Sequence, residues 1–285
     1  MTSARWSLGM KLNIRHRTHY RYASPVKESF NEVRLQPISN EHQTCDSFHL
    51  RLDPTASVRR YQDFYRNWVH HFEINPPHSE LLIEAHTRIT TTTANWLDLA
   101  AKPAPLSRVP ELARMERCFD YLQSSDYVEV DPAIWRLALD ATAGQNDIWQ
   151  AAQALNRFVF THMTYTPLAT HVKTHMREAL AARVGVCQDF AHILIGLCRA
   201  LQIPALYVSG YLCTPGAQAS HAWVEVFLPN VGWRALDPTH AIQPDVRYVK
   251  IAVGRDYADV PPTSGHYKGL TQRTMNVEVS VEEIP

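Results

Sequence analysis

The stretch that most restricts what this chain can fold into is Arg183 to Leu201, RVGVCQDFAHILIGLCRAL. A Gly185-Val186-Cys187 turn runs straight into a helical pattern. Phe190, Ala191, Leu194, Leu197, Cys198 and Leu201 recur at three- and four-residue steps, which predicts one buried helix face. Cys187 falls on that face at its first turn, where a thiol meets unsatisfied backbone N–H groups and the positive end of the helix dipole. That placement alone makes no nucleophile. A free thiol titrates at about 8.5 and reactive ones at about 3.5–7.5. A helix terminus supplies only about 0.3–1 kcal/mol, against roughly 1.4 kcal/mol for one pKa unit. A partner must supply the rest, and His221, in SHAWVEVFLPNVGWRALDP, is the candidate imidazolium.

His221 opens a predicted strand in which His221, Trp223, Glu225 and Phe227 share one face. A turn over Pro229-Asn230-Val231-Gly232 sends the chain back through Trp233 to Asp237. The separation of His221 and Asp237 is even, so one hairpin face holds both; direct pairing would centre the hairpin on Pro229. An Asp beside a His sets its tautomer and stabilises the imidazolium, which in turn stabilises the thiolate. The chemistry this pattern serves is acyl transfer. The Cys187 thiolate attacks an amide carbonyl, His221 protonates the leaving amine, and a second nucleophile resolves the thioester. The backbone N–H of Cys187 is the nearest oxyanion donor, with Gln188 or Tyr165 as the second.

The rest of the chain divides by pattern. From Lys11 to Thr93 short alternating runs bounded by Pro, Asn, Asp or Ser predict an antiparallel β-sandwich-like or barrel-like domain. Pro103, Pro105 and Pro110 mark a linker. Helices are predicted over Glu111–Asp126, from an Asp131 N-cap with Pro132 at the first position, over Asp147–Phe160, and from a Thr174 N-cap to Arg183. Strands return after Pro204, ending in MNVEVSVEEI. The resulting division is a disordered tail over 1–10, an N-terminal β domain over 11–96, a linker over 97–110 and a core over 111–285.

Composition removes several classes. Lys+Arg and Asp+Glu are both 28, so the broad positive footprint of a nucleic-acid binder is missing. No apolar run reaches the roughly 20 residues of a membrane span, and MTSARWSLGMKL lacks the apolar core of a signal peptide. The five cysteines are widely spaced with no CxxC, which argues against a disulfide framework and predicts a reducing, cytoplasmic setting. Fifteen histidines include the neighbours His171 and His175, and His70, His71 and His78, yet there is no HExxH and no EF-hand loop. No metal or cofactor is expected. Asp189 reads as a local hydrogen-bonding group at the helix start, His192 and Cys198 as core, and Arg255, Asp256 and Asp259 as a buried polar corner.

GVCQDFAHILIGLCRALQIPALYVSGYL, SHAWVEVFLPNVGWRALDPTH and AVGRDYADVPPTSG resemble three blocks of the bacterial transglutaminase-like proteins. LNIRHRTHYRY, VRLQP and Pro76-Pro77-His78 resemble the β-rich domain that precedes their core. The resemblance implies an α+β fold with a papain-like, transglutaminase-like core. It makes Cys187 the nucleophile, His221 the base and Asp237 the third member. Gln202 stands where a glycine is common, and Tyr65-Arg66-Asn67 replaces a more usual Gly-Asn. The expected function is hydrolysis or acyl transfer at peptide or isopeptide bonds of a peptide or protein substrate, through a thioester. Alternatives are a protein-glutamine transamidase using an amine acceptor, a non-catalytic interaction module on the same fold, and a His-rich metallohydrolase.

Overall fold

The first ninety residues form five strands, β1 (Met10–Val33), β2 (Gln43–Asp53), β3 (Val58–Gln62), β4 (Trp68–Ile74) and β5 (His78–Thr91), with buried and exposed side chains alternating most clearly along β1. The computed structural model describes residues 9–92, 103–214 and 220–285. Most of the expected tail, and the part of the expected linker before 103, lie outside them. β1 is longer than the sequence predicts, because no turn forms at Ala23-Ser24-Pro25. Instead its register slips between Arg21 and Val26, and such irregularities bend a strand. The first half of β1 pairs with β5 and the second with β4, giving the order β2-β5-β1-β4-β3. The expected sandwich is therefore one curled antiparallel sheet. Its bend folds Tyr20, Leu81 and Ile83 of one arm onto Val33, Phe72 and Ile74 of the other.

The helical part begins with short helices α1 (Val109–Leu112) and α2 (Glu116–Phe119). The described end of the expected linker is packed rather than free: Ala104 and Val109 are buried, and the Ala104 N–H donates to Asp147 at 2.7 Å. α3 (Pro132–Ala141) starts where its predicted cap places it, and α4 (Ile148–His162) starts within one residue of the expected Asp147. Asp131 accepts from the Ile134 N–H and Asp147 from the Trp149 N–H, at 2.8 and 2.9 Å. Short strand β6 (Thr164–Tyr165) precedes α5 (Met176–Ala182), which His175 caps, one residue beyond the predicted Thr174. The Thr174 hydroxyl instead accepts from the His171 N–H. Arg183, at φ 56°, ends α5.

β7 (Val184–Gly185) leads into α6 (Cys187–Ala200). Then come β8 (Ala205–Leu212), β9 (Ser220–Leu228), β10 (Gly232–Leu236) and β11 (Tyr248–Gly254), which form a second antiparallel sheet in the order β10-β9-β8-β11. α6 packs on one face of it, Phe190, Leu194 and Leu197 sharing a core with Ala222, Val224 and Val226. The last strands, β12 (Thr263–Lys268) and β13 (Arg273–Ile284), do not join this sheet. Both pair antiparallel with β1. The stretch expected to close the core thus completes the N-terminal sheet, where Val279 fills the row beside His16. The two sheets share interior: Leu12, Ile14 and Ile89 lie in the same apolar cluster as α6.

Candidate active site

Cys187 is the first residue of α6 and is half-buried, packed at the margin of the core. The turn that delivers it is held by Asp189, whose carboxylate accepts from the Val186 N–H at 2.8 Å and the Thr170 hydroxyl at 2.6 Å. Gly185 makes this possible, since a Cβ there would lie 2.7 Å from the Asp189 side chain. β6 and β7 run parallel with Tyr165 beside Gly185.

His221 stands near the start of β9, opposite Gly210 of β8. The hairpin register differs from direct pairing. Gly232 lies opposite Leu228 and Leu236 opposite Val224, so the centre is Asn230 rather than Pro229. Asp237 falls one step past the last pair, on the diagonal from His221, and the shared face survives because the shift is even. The His221 Nε2 and Asp237 Oδ2 are 2.8 Å apart, and Cys187 lies near enough to the ring to raise its pKa. The structure therefore brings His221 and Asp237 into contact and leaves Cys187, at the start of α6, near the ring.

Their electrostatics follow from burial and contact. Burial disfavours a charged ring, but the bond to Asp237 and the nearby Cys187 outweigh it and raise the His221 pKa to about 10. Asp237 is fully buried. Desolvation pushes its carboxyl up, yet the bonds from His221, His240 and Tyr248 hold it well below the usual carboxylate range. His240 Nδ1 and the Tyr248 hydroxyl reach the same Oδ2 at 2.8 and 2.7 Å, while Oδ1 accepts from the Thr239 N–H. Sequence reasoning misses both His240 and Tyr248. The short spacing in Asp237-Pro238-Thr239-His240 carries a signal for the first; nothing local carries one for the second.

Among the described residues, His221, Asp237 and His240 are the group whose ligand atoms lie close enough, within 4.8 Å, to share a metal ion. Three donors at 2.7–2.8 Å already converge on Oδ2, so hydrogen bonding accounts for the cluster. The His171 and His175 rings accept from the N–H groups of Lys173 and Arg177 instead of converging. The Gln188 amide donates to the Val172 carbonyl at 3.1 Å. Tyr165 is about half exposed, and burial together with the nearby Cys187 raises its phenol pKa.

The remaining polar residues are structural. His192 is fully buried between Tyr127 and Tyr207, accepts from the Tyr257 N–H, and is held neutral by burial, its pKa lowered to about 3. Trp223 is buried and packs edge-on against Tyr248. Arg255 pairs with Asp259, and Asp256 accepts from the Tyr127 and Ala258 N–H groups.

Residues 12–90 match the family described as the bacterial transglutaminase-like N-terminal region, and residues 136–238, which hold Cys187, His221 and Asp237, match the transglutaminase-like superfamily. The chain belongs to the transglutaminase-like superfamily. An uncharacterized protein of Mycobacterium leprae is 31% identical over 283 residues, covering 96% of this chain and 99% of that one. A protein-glutamine gamma-glutamyltransferase of Pseudomonas aeruginosa is 31% identical over 136 residues, 42% of this chain and 20% of that one. A solved protein of Cytophaga hutchinsonii, named as a candidate cysteine protease, has the same fold, with a TM-score of 0.81 at 23% identity, covering 97% of this chain and 91% of that one.

The cytoplasmic setting expected from the cysteines is corrected. Similar solved structures include the periplasmic domain of TgpA from Pseudomonas aeruginosa, with a TM-score of 0.41 at 17% identity, covering 83% of this chain and 91% of that one. The five free thiols say nothing of compartment, since each is buried or half-buried and none is bridged to another. Among the described residues no helix is long and apolar enough to cross a membrane.

Proposed function

We propose that this member of the superfamily is a cysteine-dependent amide hydrolase or acyl transferase acting on peptide or isopeptide bonds. The observation that carries the reading is the 2.8 Å contact of the His221 ring with buried Asp237, with Cys187 near enough to act on the same ring. In the first half-reaction the Cys187 thiolate adds to the carbonyl carbon. The oxyanion lies within reach of the Cys187 N–H at the start of α6, with the Tyr165 phenol the remaining side-chain candidate, since Gln188 is engaged elsewhere. The imidazolium then gives its proton to the departing amine, the C–N bond breaks, and a thioester remains. In the second half-reaction neutral His221 takes a proton from the incoming nucleophile, which displaces the thiolate. Asp237 keeps the ring oriented and its positive charge balanced throughout.

Water as that nucleophile gives hydrolysis and a primary amine gives transamidation. Cys187 is not fully buried, which leaves a route for water and favours hydrolysis. The relative in Pseudomonas aeruginosa named a protein-glutamine gamma-glutamyltransferase favours the second reading. Incubating a glutamine peptide with and without a primary amine separates them. Free acid should outrun amine incorporation, and the reverse ratio would assign the transamidase. With Cys187→Ser both products should vanish. A non-catalytic module would instead show Cys187 alkylated by iodoacetamide no faster than Cys198 or Cys213.

A further inference from the structure

β11 is an edge strand of the second sheet, paired among the described residues with β8 alone. Its outer N–H and C=O groups need partners, and the N-terminal sheet supplies them from side chains. The Thr91 hydroxyl donates to the Val246 carbonyl at 2.6 Å, just before the strand begins. The Gln43 carboxamide donates to the Lys250 carbonyl at 2.7 Å and accepts the Lys250 N–H at 2.8 Å. This is the paired exchange a neighbouring strand would make. Asn67 does the same to Val253, at 2.8 Å in each direction. Tyr248 stands between the first two anchors, and its hydroxyl donates to Asp237 Oδ2. Lys250 lies opposite Gly210, and Gly210 opposite His221, so the Gln43 amide also extends the row that holds the His221 backbone. Gly210 keeps this row tight, because a Cβ there would meet the Val249 carbonyl at 2.2 Å and the Trp223 ring at 2.5 Å.

We propose that the N-terminal sheet is a working part of the active site: Gln43 clamps β11 so that Tyr248 holds the Asp237 carboxylate in line with His221. The inference rests on the Cys187–His221–Asp237 reading above. Gln43 and Tyr248 are positioning residues that touch no reacting atom. Asp237 is faced by His221, His240 and Tyr248; Tyr248 is also near the Asp245–Arg247 ion pair. At the clamp, Lys250 pairs with Glu225, close to His42 and Arg234. Without the Tyr248 hydroxyl, half-exposed His240 competes with His221 for the carboxylate, and the His221 ring spends less time in the orientation that faces the sulfur.

The test is the pH profile of iodoacetamide alkylation, resolved by cysteine, in the full chain and three variants. Tyr248→Phe and Gln43→Met should each move the midpoint of the Cys187 profile upward by roughly half a unit, about a threefold loss of reactive sulfur at fixed low pH. Both should lower kcat more than they raise KM. Asn67→Leu, which releases the far end of β11, should lower the melting temperature without moving that midpoint. Should Gln43→Met not fold, the near-isosteric Tyr248→Phe decides. Midpoints that stay or fall in the variants, with Cys187 fast in the native protein, overturn this inference alone, as does an equal upward shift in Asn67→Leu. A native Cys187 no faster than Cys198 overturns the catalytic reading along with it.

Discussion

Asp237 shows how much one buried carboxylate depends on what surrounds it. Fully desolvated, it stays ionised because three side-chain donors and one backbone N–H converge on it. Asp237→Asn removes the charge while nearly preserving shape. The imidazolium then lacks its counter-charge, and kcat/KM on a scissile peptide should fall roughly 10²–10⁴-fold, the range of general acid–base contributions. Stability should report the same coupling. The His221 pKa, about 10, lies above the unfolded value, so the ring's contribution is complete below about pH 6.5 and is lost as pH rises through 10. Asp237 lies below its unfolded value, so its contribution is present above about pH 4 and lost as pH falls further. The gap in urea midpoint between the native protein and Asp237→Asn should therefore be widest near pH 5–6 and narrow toward pH 10. A gap constant across that range would contradict the coupling.

Among the elements, α6 carries the proposed nucleophile and is held at both ends by polar contacts. Asp189 secures its start. Near its end the fully buried Arg199 donates to the carbonyls of Gln123, Ala205 and Arg255. Burial lowers its pKa to about 10, so the guanidinium stays charged at neutral pH. One side chain thereby fixes α6 against β8, the segment after α2 and the turn after β11. Arg199→Met fills much of the space but leaves three acceptors unpaired, at about 1–3 kcal/mol each. Urea unfolding should show a loss of at least about 3 kcal/mol, and a loss under 1 kcal/mol would mean those carbonyls find water.

For the whole molecule, the relevant charge is the one that several histidines lack when folded. Burial lowers His16 and His70 to about 4 and His192 to about 3. His16 sits in the seam between the sheets, its ring 2.8 Å from the Tyr211 hydroxyl. Each has a folded pKa below the unfolded value of about 6.5, so the unfolded chain binds more protons in between. Stability should fall as pH drops from about 6.5 toward 4, with proton uptake on unfolding. A urea midpoint flat over that window would show that these rings stay solvated. The seam itself, with shared core and four side-chain anchors, predicts that the two sheets unfold in one transition.

Several features were legible because their causes are local. The cap at Asp131, the helix that begins at Asp147, the buried stripe of α6 and the shared face of His221 and Asp237 depend on spacing within one or two elements. Periods of 3.6 and 2 are written in the order of residues. Other features were not, because they depend on partners far along the chain. Nothing near Ala23-Ser24-Pro25 shows that β1 continues, since its bend is set by β5 on one side and β4 on the other. Nothing in MNVEVSVEEI says that it returns to β1, because alternation gives a strand its faces but not its neighbour. Tyr248 and Gln43 read as ordinary strand residues until β11 lies between Asp237 and the N-terminal sheet. By itself the sequence determined the helix that begins at Cys187, the hairpin that carries His221, and the residue types of the candidate site. Only the tertiary structure decided what holds β11 beside Asp237, because the bonds from Gln43 and Asn67 to that strand span more than a hundred residues and form only after the chain has packed.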